Sequence, residues 1–541
     1  MGSLGMEERI ALKRARQAAL VPDEWRLRTL PTETGINALK VIRNCDLLSQ
    51  KERDITETTD ANILLGKLAS KELTSLEVTT AFAKRAALAH QLTNCCTEIF
   101  FDDAFKDARA ANDYLAKTGK TLGPLHGLPV SVKDAFRVKG QDTTVGWVAM
   151  SGKPAADDGI VLQIIRKLGG VPYVKTNVPQ SMMMSDSYNH LFGQCVNTLN
   201  TKFISGGSSG GESALLSALG SIVGIGTDIG GSIRIPASLC GIYGLSPTSG
   251  RHPHEQFSPR QDIVRSVAGP MACSLSSIEA YMDALMQVEP WTIDPILAPV
   301  PWRSTLSNPP KRLRVGYIID DGMVKVQPPV ARAVRKTVAA LLEAGHEVFE
   351  WDASKHPYGY DLWLRGILSD GGEGARKMCA QSGEPLIKGM LVGTEKDILT
   401  TSELHQLLFD KRNLETEYLK QWTGSGIDAL IMPVTPWAGY LPKTWVSGPQ
   451  YVGYTSIWNL LNYAALAVPA TTVSLEEDRP DDDWLGHVPR NDLDEFNYRQ
   501  YDVDLVKGLP VGIQVVGGRF GEEKCVAVGK VIDSLLKGKT T

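Results

Sequence analysis

Residues 128–132 read Leu-Pro-Val-Ser-Val, residues 160–168 read Ile-Val-Leu-Gln-Ile-Ile-Arg-Lys-Leu, and residues 171–174 read Val-Pro-Tyr-Val. The first and third are apolar runs of strand length, and the second spaces its apolar residues as a helix does. The same alternation recurs downstream. Leu313–Ile318 reads as strand, Val330–Ala344 as helix, and Glu347–Trp351, Asp428–Val434 and Val511–Val516 as strands, with a final helix from about Glu522. Helices and strands intermixed in this way predict an α/β protein whose sheet is covered by helices on both faces.

The 541 residues would allow three or four domains at about 150 residues each. No internal repeat is visible and no linker cuts the chain cleanly, so one large domain is expected. The proline-rich stretch Ala298–Pro310 and the acidic insert Glu476–Glu495 read as surface loops. Two helices are expected upstream. The segment LTSLEVTTAFAKRAALAHQL (73–92) carries a capping box, Thr74 with Glu77. EERIALKRARQAAL (7–20), closed by Val21-Pro22, reads as a charged helical arm with a solvated basic face.

Composition excludes classes of function without naming one. Apolar residues make up 43% and charged residues 22%, as in ordinary globular proteins. Lys and Arg number 57 against 61 Asp and Glu, so no global cationic field exists to hold nucleic acid. The eight cysteines are scattered, with no C-x-x-C pair and no zinc spacing among them and the nine histidines. The adjacent pair Cys95 and Cys96 falls outside every ligand pattern, and buried reduced thiols are expected. The N-terminus lacks a signal-peptide pattern, and Gly2 is followed by Met6 where myristoylation wants Ser or Thr. The longest apolar stretch, around Ala214–Ile225, falls short of the roughly 18 residues that span a bilayer. A cytoplasmic protein without a transmembrane segment is expected.

Glycine is abundant, at 51 residues, and it clusters twice. Residues 205–213 read SGGSSGGES and residues 226–234 read GTDIGGSIR. Glycine lets backbone approach a ligand closely, so consecutive N–H groups can converge on one point. Neither loop has the lysine or spacing of a phosphate-binding loop. Residues 207–211 match G-x-S-x-G, but that nucleophile elbow must follow a strand, and Asn197–Ser205 has no strand character. It would also need a downstream histidine, for which His405 and His487 are nominal candidates. Tight turns beneath helices would explain one such cluster better than two. The remaining reading is acyl transfer: one loop carries a nucleophile and an oxyanion hole, and the other a second hydroxyl. A serine hydroxyl needs a base, and where no histidine is positioned a lysine made neutral by burial can serve. Lys133, at the end of an apolar run, has that position. His126, nearby, reads as a turn histidine.

The set HGLPVSVKD (126–134), GGSSGGE (206–212) and GTDIGGSIRIPA (226–237) resembles the amidase signature family, whose catalytic unit is Ser-Ser-Lys. The resemblance extends through Lys175–Gln180, Leu191–Gln194, Asp428–Pro433 and Gly508–Gln514, and so covers nearly the whole chain from about residue 60. Lys13–Arg16, Pro22–Trp25 and Leu92–Cys95 look like fungal acetamidases, and Thr176–Gln194 also looks like fatty-acid amide hydrolases. The resemblance implies a single α/β/α domain with a central twisted mixed sheet, here over residues 60–541, after a helical extension at 1–59. It implies Ser232 as nucleophile, Ser208 as proton relay and Lys133 as base. The backbone N–H groups of Ile229, Gly230, Gly231 and Ser232 would form the oxyanion hole, and the carbonyl of Met182 would face the leaving nitrogen. Ser209 and Thr227 would tie the loops, and Asp228 with Arg234 would form a structural ion pair.

Substrate is less legible. Met182-Met183-Met184-Ser185 reads equally as soft packing for an acyl chain or as core. Trp147, Tyr188, Phe192 and Trp437 are candidate pocket aromatics. The resemblance implies a cofactor-independent and metal-independent amidase acting on small aliphatic or aryl amides. N-acylethanolamine, fatty-acid amide or carbamate hydrolysis are alternatives at the same site, and an amidotransferase subunit delivering ammonia to a partner is the alternative of another class. The expected partner is a small-molecule amide, with no nucleic acid, and assembly as a homodimer is left open.

Overall fold

The apolar run read at 128–132 is a fully buried strand, and its neighbours on both sides run parallel to it. The computed structural model describes residues 4–255 and 262–538, so Gly2 lies outside the described residues. Thirteen strands are described: β1 (Cys96–Ile99), β2 (Pro129–Lys133), β3 (Val171–Thr176), β4 (Tyr188–Asn189), β5 (Gly193–Gln194), β6 (Val223–Asp228), β7 (Tyr243–Ser246), β8 (Val267–Ala272), β9 (Arg314–Tyr317), β10 (Glu347–Glu350), β11 (Ala429–Pro433), β12 (Ala464–Thr472) and β13 (Pro510–Gly518). β4 and β5 pair with each other. The other eleven form one sheet in the order β1-β3-β2-β6-β8-β7-β12-β13-β11-β9-β10.

The sheet is mixed, as expected, and helices surround it. β3, β2 and β6 are parallel at one end, β11, β9 and β10 are parallel at the other, and the centre is antiparallel. The helix Ile160–Lys167 links β2 to β3, burying Val161, Leu162, Ile164 and Ile165. The capping box at Thr74 and Glu77 opens the helix Ser75–Thr93. One register matters most for the site. β2 and β6 align Val132 with Ile225, so Lys133 ends its strand beside the Gly226–Asp228 end of β6.

Two expectations need correction. The basic arm, a helix at Met6–Ala19, is not simply solvated. Arg16 is exposed, but Lys13 is buried, with Nζ 2.5 Å from Glu98 and 2.6 Å from Asp142. Gln17 Nε2 donates to the carbonyls of Cys96 and Thr97 at 2.8 and 2.9 Å. A helix that offers a cation to two buried carboxylates docks rather than floats. The acidic insert at 476–495 is likewise more than a surface loop. Asp478 is buried and takes a two-pronged contact from Arg332 at 2.6 and 2.7 Å. Trp484, at 4% exposure, packs on Tyr498 and Tyr501. Asp478 and Asp494 are thus buried in anchoring contacts, while Glu476, Glu477, Asp481, Asp482 and Asp483 remain on the surface.

Removing Lys13 leaves two buried carboxylates without their cation, a change that typically costs about 3–5 kcal/mol. Lys13→Ala is therefore expected to lower the urea midpoint by that equivalent. Arg16→Ala, at an exposed position of the same helix, should leave the midpoint within about 0.5 kcal/mol; equal midpoints for the two variants would refute the docking role.

Candidate active site

Three backbone segments converge at the C-terminal ends of β2 and β6. Lys133 ends β2, the loop 205–209 leads into the helix Gly210–Ser217, and the loop 229–233 leads from β6 into the helix Arg234–Cys240. The two loops are joined directly, because Ser209 N–H donates to the Ser232 carbonyl at 3.1 Å. Lys133 has no exposed surface. Its Nζ is hydrogen-bonded to Ser208 Oγ at 2.7 Å and to Thr227 Oγ1 at 2.8 Å, with the Thr227 carbonyl at 3.5 Å. The structure thus places lysine and first serine in contact, with the second serine on the adjoining loop. Ser208 is buried and Ser232 is partly open. Thr227 does more than tie loops, since its side chain also holds the lysine. Ser209 Oγ donates to the Thr227 carbonyl and accepts from Thr227 N–H, both at 3.3 Å.

The loop 229–233 is shaped from beneath by Asp228 and Arg234, both fully buried. Arg234 grips the carboxylate with two nitrogens, at 3.0 and 3.1 Å. Burial alone would push the Asp228 carboxyl up, but Arg234 outweighs it and holds it below the usual range. The same carboxylate accepts Gly231 N–H at 2.7 Å and Ile233 N–H at 3.0 Å. The Gly231 amide is therefore engaged inside the loop, which leaves Ile229, Gly230 and Ser232 among the four expected donors. Gly231 sits at φ +125°, and a Cβ there would fall 2.3 Å from Thr455 Oγ1. No other residue fits that position.

Behind the lysine lies a second buried acid that the sequence reading did not single out. Glu212 accepts hydrogen bonds from Ser131 Oγ at 2.7 Å and Thr176 Oγ1 at 2.9 Å. Burial pushes its carboxyl up from 4.5 to about 8, so it is neutral at pH 7. Asp134, next to Lys133, is instead paired with Lys175 at 2.8 Å.

A cavity of about 20 Å³ opens in front of Ser232, walled by Met182, Met183, Met184, Ile229, Ile235, Trp363, Leu391 and Val452. That is room for about one water molecule. Ser181 and Met182 both take positive φ, 62° and 61°, a strained conformation for side-chain-bearing residues, and so turn the backbone sharply at this wall. The methionine run belongs to the cavity. The four aromatics proposed for it do not: Phe192 packs with Ile10 and Val148, Trp437 with Tyr440 and Trp445, Tyr188 lies under Lys443, and Trp147 is buried away from the cavity lining. Trp363, missed in the sequence, takes that place. Its Nε1 donates to the Ile229 carbonyl at 2.9 Å, and a Cβ on Gly230 would lie 2.5 Å from its ring. No local pattern could have marked it, because it arrives from a helix 131 residues beyond Ser232. His126 accepts from Leu122 N–H in a turn, His405 is exposed on the helix Thr401–Ser425, and His487 contacts Asp494. None of these histidines stands at the serines.

Residues 77–526 match the family model described as Amidase. The chain is 38% identical to an acetamidase of Emericella nidulans over 99% of both chains, and 35% identical to an acetamidase of Aspergillus oryzae over 99% of this chain and all of the relative. A solved structure titled fatty acid amide hydrolase superposes with a TM-score of 0.92 at 33% identity, covering 97% of this chain and 94% of the other. Among the described residues no helix is long and apolar enough to cross a membrane. With a family match across most of its length and near full-length relatives above 30% identity, the chain belongs to the amidase family, in its amidase signature branch, and is an amide-hydrolysing enzyme.

Proposed function

We propose that this enzyme cleaves short-chain carboxylic amides through an acyl-enzyme on Ser232, with Ser208 and Lys133 moving the proton. The observation that carries the reading is the 2.7 Å contact between a fully buried Lys133 Nζ and Ser208 Oγ, beside the loop that bears Ser232. A neutral amine has two hydrogens and one lone pair. In the neutral form that this mechanism requires, hydrogens directed at the Thr227 hydroxyl and carbonyl would leave the lone pair to take the proton of Ser208. Ser208 passes its proton to Lys133 as it takes the proton of Ser232, whose oxygen attacks the amide carbonyl. The developing oxyanion is met by the N–H groups of Ile229, Gly230 and Ser232, each such donor being worth about 3 kcal/mol. The proton then returns through Ser208 to the departing nitrogen, which the Met182 carbonyl would face. Water activated by the same pair releases the acid and restores Ser232. No step calls for a cofactor.

The cavity supports short acyl chains. About 20 Å³ beside the nucleophile is of the size of a water molecule or a methyl group, and the Trp363 ring is part of the wall that a longer chain would meet. The acetamidase relatives agree with small acyl groups. The similarity to a fatty acid amide hydrolase structure supports longer chains as the second reading.

A panel from acetamide through benzamide to oleamide separates the two readings, with the highest kcat/KM expected for the shortest aliphatic amides. Ser232→Ala and Lys133→Ala should each lower kcat by about 10⁴-fold or more, and hydroxylamine should trap an acyl group only where Ser232 is present. Full activity in Ser232→Ala would end the mechanism. Trp363→Ala should move the chain-length optimum from two carbons toward six or more, and an unchanged optimum would remove Trp363 as the limit. Glu212 gives a prediction of another kind. Its folded value lies above its unfolded value, so its protonated form favours the fold at low pH and that stability is lost as pH rises from 4.5 to about 8. Urea titrations should show a loss of up to about 1.4 kcal/mol per pH unit in that window. Glu212→Gln, which keeps a neutral side chain, should flatten the slope.

A further inference from the structure

Away from the serines, the turn after the helix Ser75–Thr93 gathers three soft donors. Asn94 takes a left-handed conformation, φ 55° and ψ 41°, and closes the helix by donating its N–H to the His90 carbonyl. Its side chain fixes the turn through the carbonyls of Phe192 and Gln194. Neighbouring residues of a strand point to opposite faces. Here the turn overrides that rule, and the sulfurs of Cys95 and Cys96 lie 3.8 Å apart. His90 Nδ1 accepts Cys96 N–H at 3.2 Å, and the ligand atoms of His90, Cys95 and Cys96 all lie within 4.8 Å of one another. Thiolates held about 2.3 Å from a tetrahedral ion are separated by about 3.8 Å, the distance already present.

We propose that His90, Cys95 and Cys96 form a site for one thiophilic cation of the Cu(I), Zn(II) and Cd(II) class, through which such ions inhibit the enzyme. Two sulfurs and an imidazole are the donor set such ions prefer. The half-buried His90 forms the open side, and two buried thiols form the floor. Each thiol gives up its proton to solvent on binding, so one ion releases two protons, and the imidazole exchanges its contact with Cys96 N–H for the ion. Inhibition follows from the backbone. The Cys95 carbonyl accepts Asn177 N–H at 2.7 Å, and the Asn177 carbonyl accepts Gly211 N–H at 3.0 Å. Gly211 stands in the first turn of the helix that follows Ser208, and a Cβ there would fall 2.5 Å from the Cys95 carbonyl. Drawing Cys95 toward an ion therefore moves the support of the proton relay while leaving the acyl cavity alone.

The test uses the full-length enzyme and Cd(II). Equilibrium dialysis and the ultraviolet thiolate-to-cadmium band should report one more equivalent bound by the native chain than by Cys95→Ser/Cys96→Ser, whatever the half-buried Cys45, Cys273 and Cys379 also take up. Turnover of a short amide should fall in the native enzyme through kcat with KM unchanged, and the double variant should resist. His90→Gln, at a half-exposed position, should weaken binding about tenfold or more while retaining the fold. Equal cadmium uptake by the native chain and both variants would overturn the site. Uptake of the extra equivalent with no loss of kcat would overturn the inhibitory role.

Discussion

An amino group with no exposed surface, at the end of a strand buried on every side, is the constraint around which this site is organised. An ammonium in that place would lose its hydration, and only hydrogen-bonding partners close at hand make the position tolerable. Those partners are set by sheet register. Because β2 and β6 are parallel and aligned Val132 to Ile225, the residues after them meet, and Thr227 reaches Lys133 with both its hydroxyl and its carbonyl. Ser208 completes the set from the loop before the next helix. A slip of one residue in that pairing would turn Lys133 to the other face of the sheet. The chemistry is thus a property of strand pairing before it is a property of side chains.

The loop bearing Ser232 is governed by a different balance. A buried ion pair is weak evidence for stability, since desolvation offsets much of the attraction. The Asp228–Arg234 pair is better understood through what else its carboxylate holds, namely the amides of Gly231 and Ile233. Those bonds engage two N–H groups inside the loop and, on the proposed mechanism, leave the others to a developing oxyanion. Arg234 in turn reaches Gln514, Asn459 and the Thr455 carbonyl, so β13 and the helix Gly453–Leu461 share in fixing the geometry. Preorganised donors of this kind need no rearrangement during reaction.

Much of this was legible in the chain because the relevant signals are contiguous. The runs at 128–132 and 171–174 became β2 and β3, and the Thr74 and Glu77 pair opened its helix as read. Lysine, both serines and the glycines between them stand in short motifs, so their proximity could be anticipated. What escaped depended on contacts distant in sequence. Lys13 looked solvated because Glu98 and Asp142, which bury it, are far along the chain. The insert at 476–495 looked like a loop because acidic composition does not reveal Arg332 waiting for Asp478. Glu212 sits inside a quoted motif, yet its neutral state comes from burial by distant elements, which outweighs the hydrogen bonds from Ser131 and Thr176 that favour the charged form.

Specificity is the case where this difference bears on function. A nucleophile and its relay must be held to within fractions of an ångström, and short segments of rigid strand and loop achieve that locally. The wall opposite the nucleophile has no such requirement and can come from anywhere that packing permits. Here it is supplied by Trp363, from the helix His356–Leu368, which stacks on Tyr360 while Tyr360 in turn meets Tyr451 edge-on. The indole also bonds the Ile229 carbonyl, on the peptide whose N–H side belongs to Gly230. On the proposed mechanism, the residue that would limit the acyl chain also helps orient a donor of the oxyanion hole. Enlarging the cavity at this position would loosen the peptide that carries that donor, and would so couple chain length to turnover.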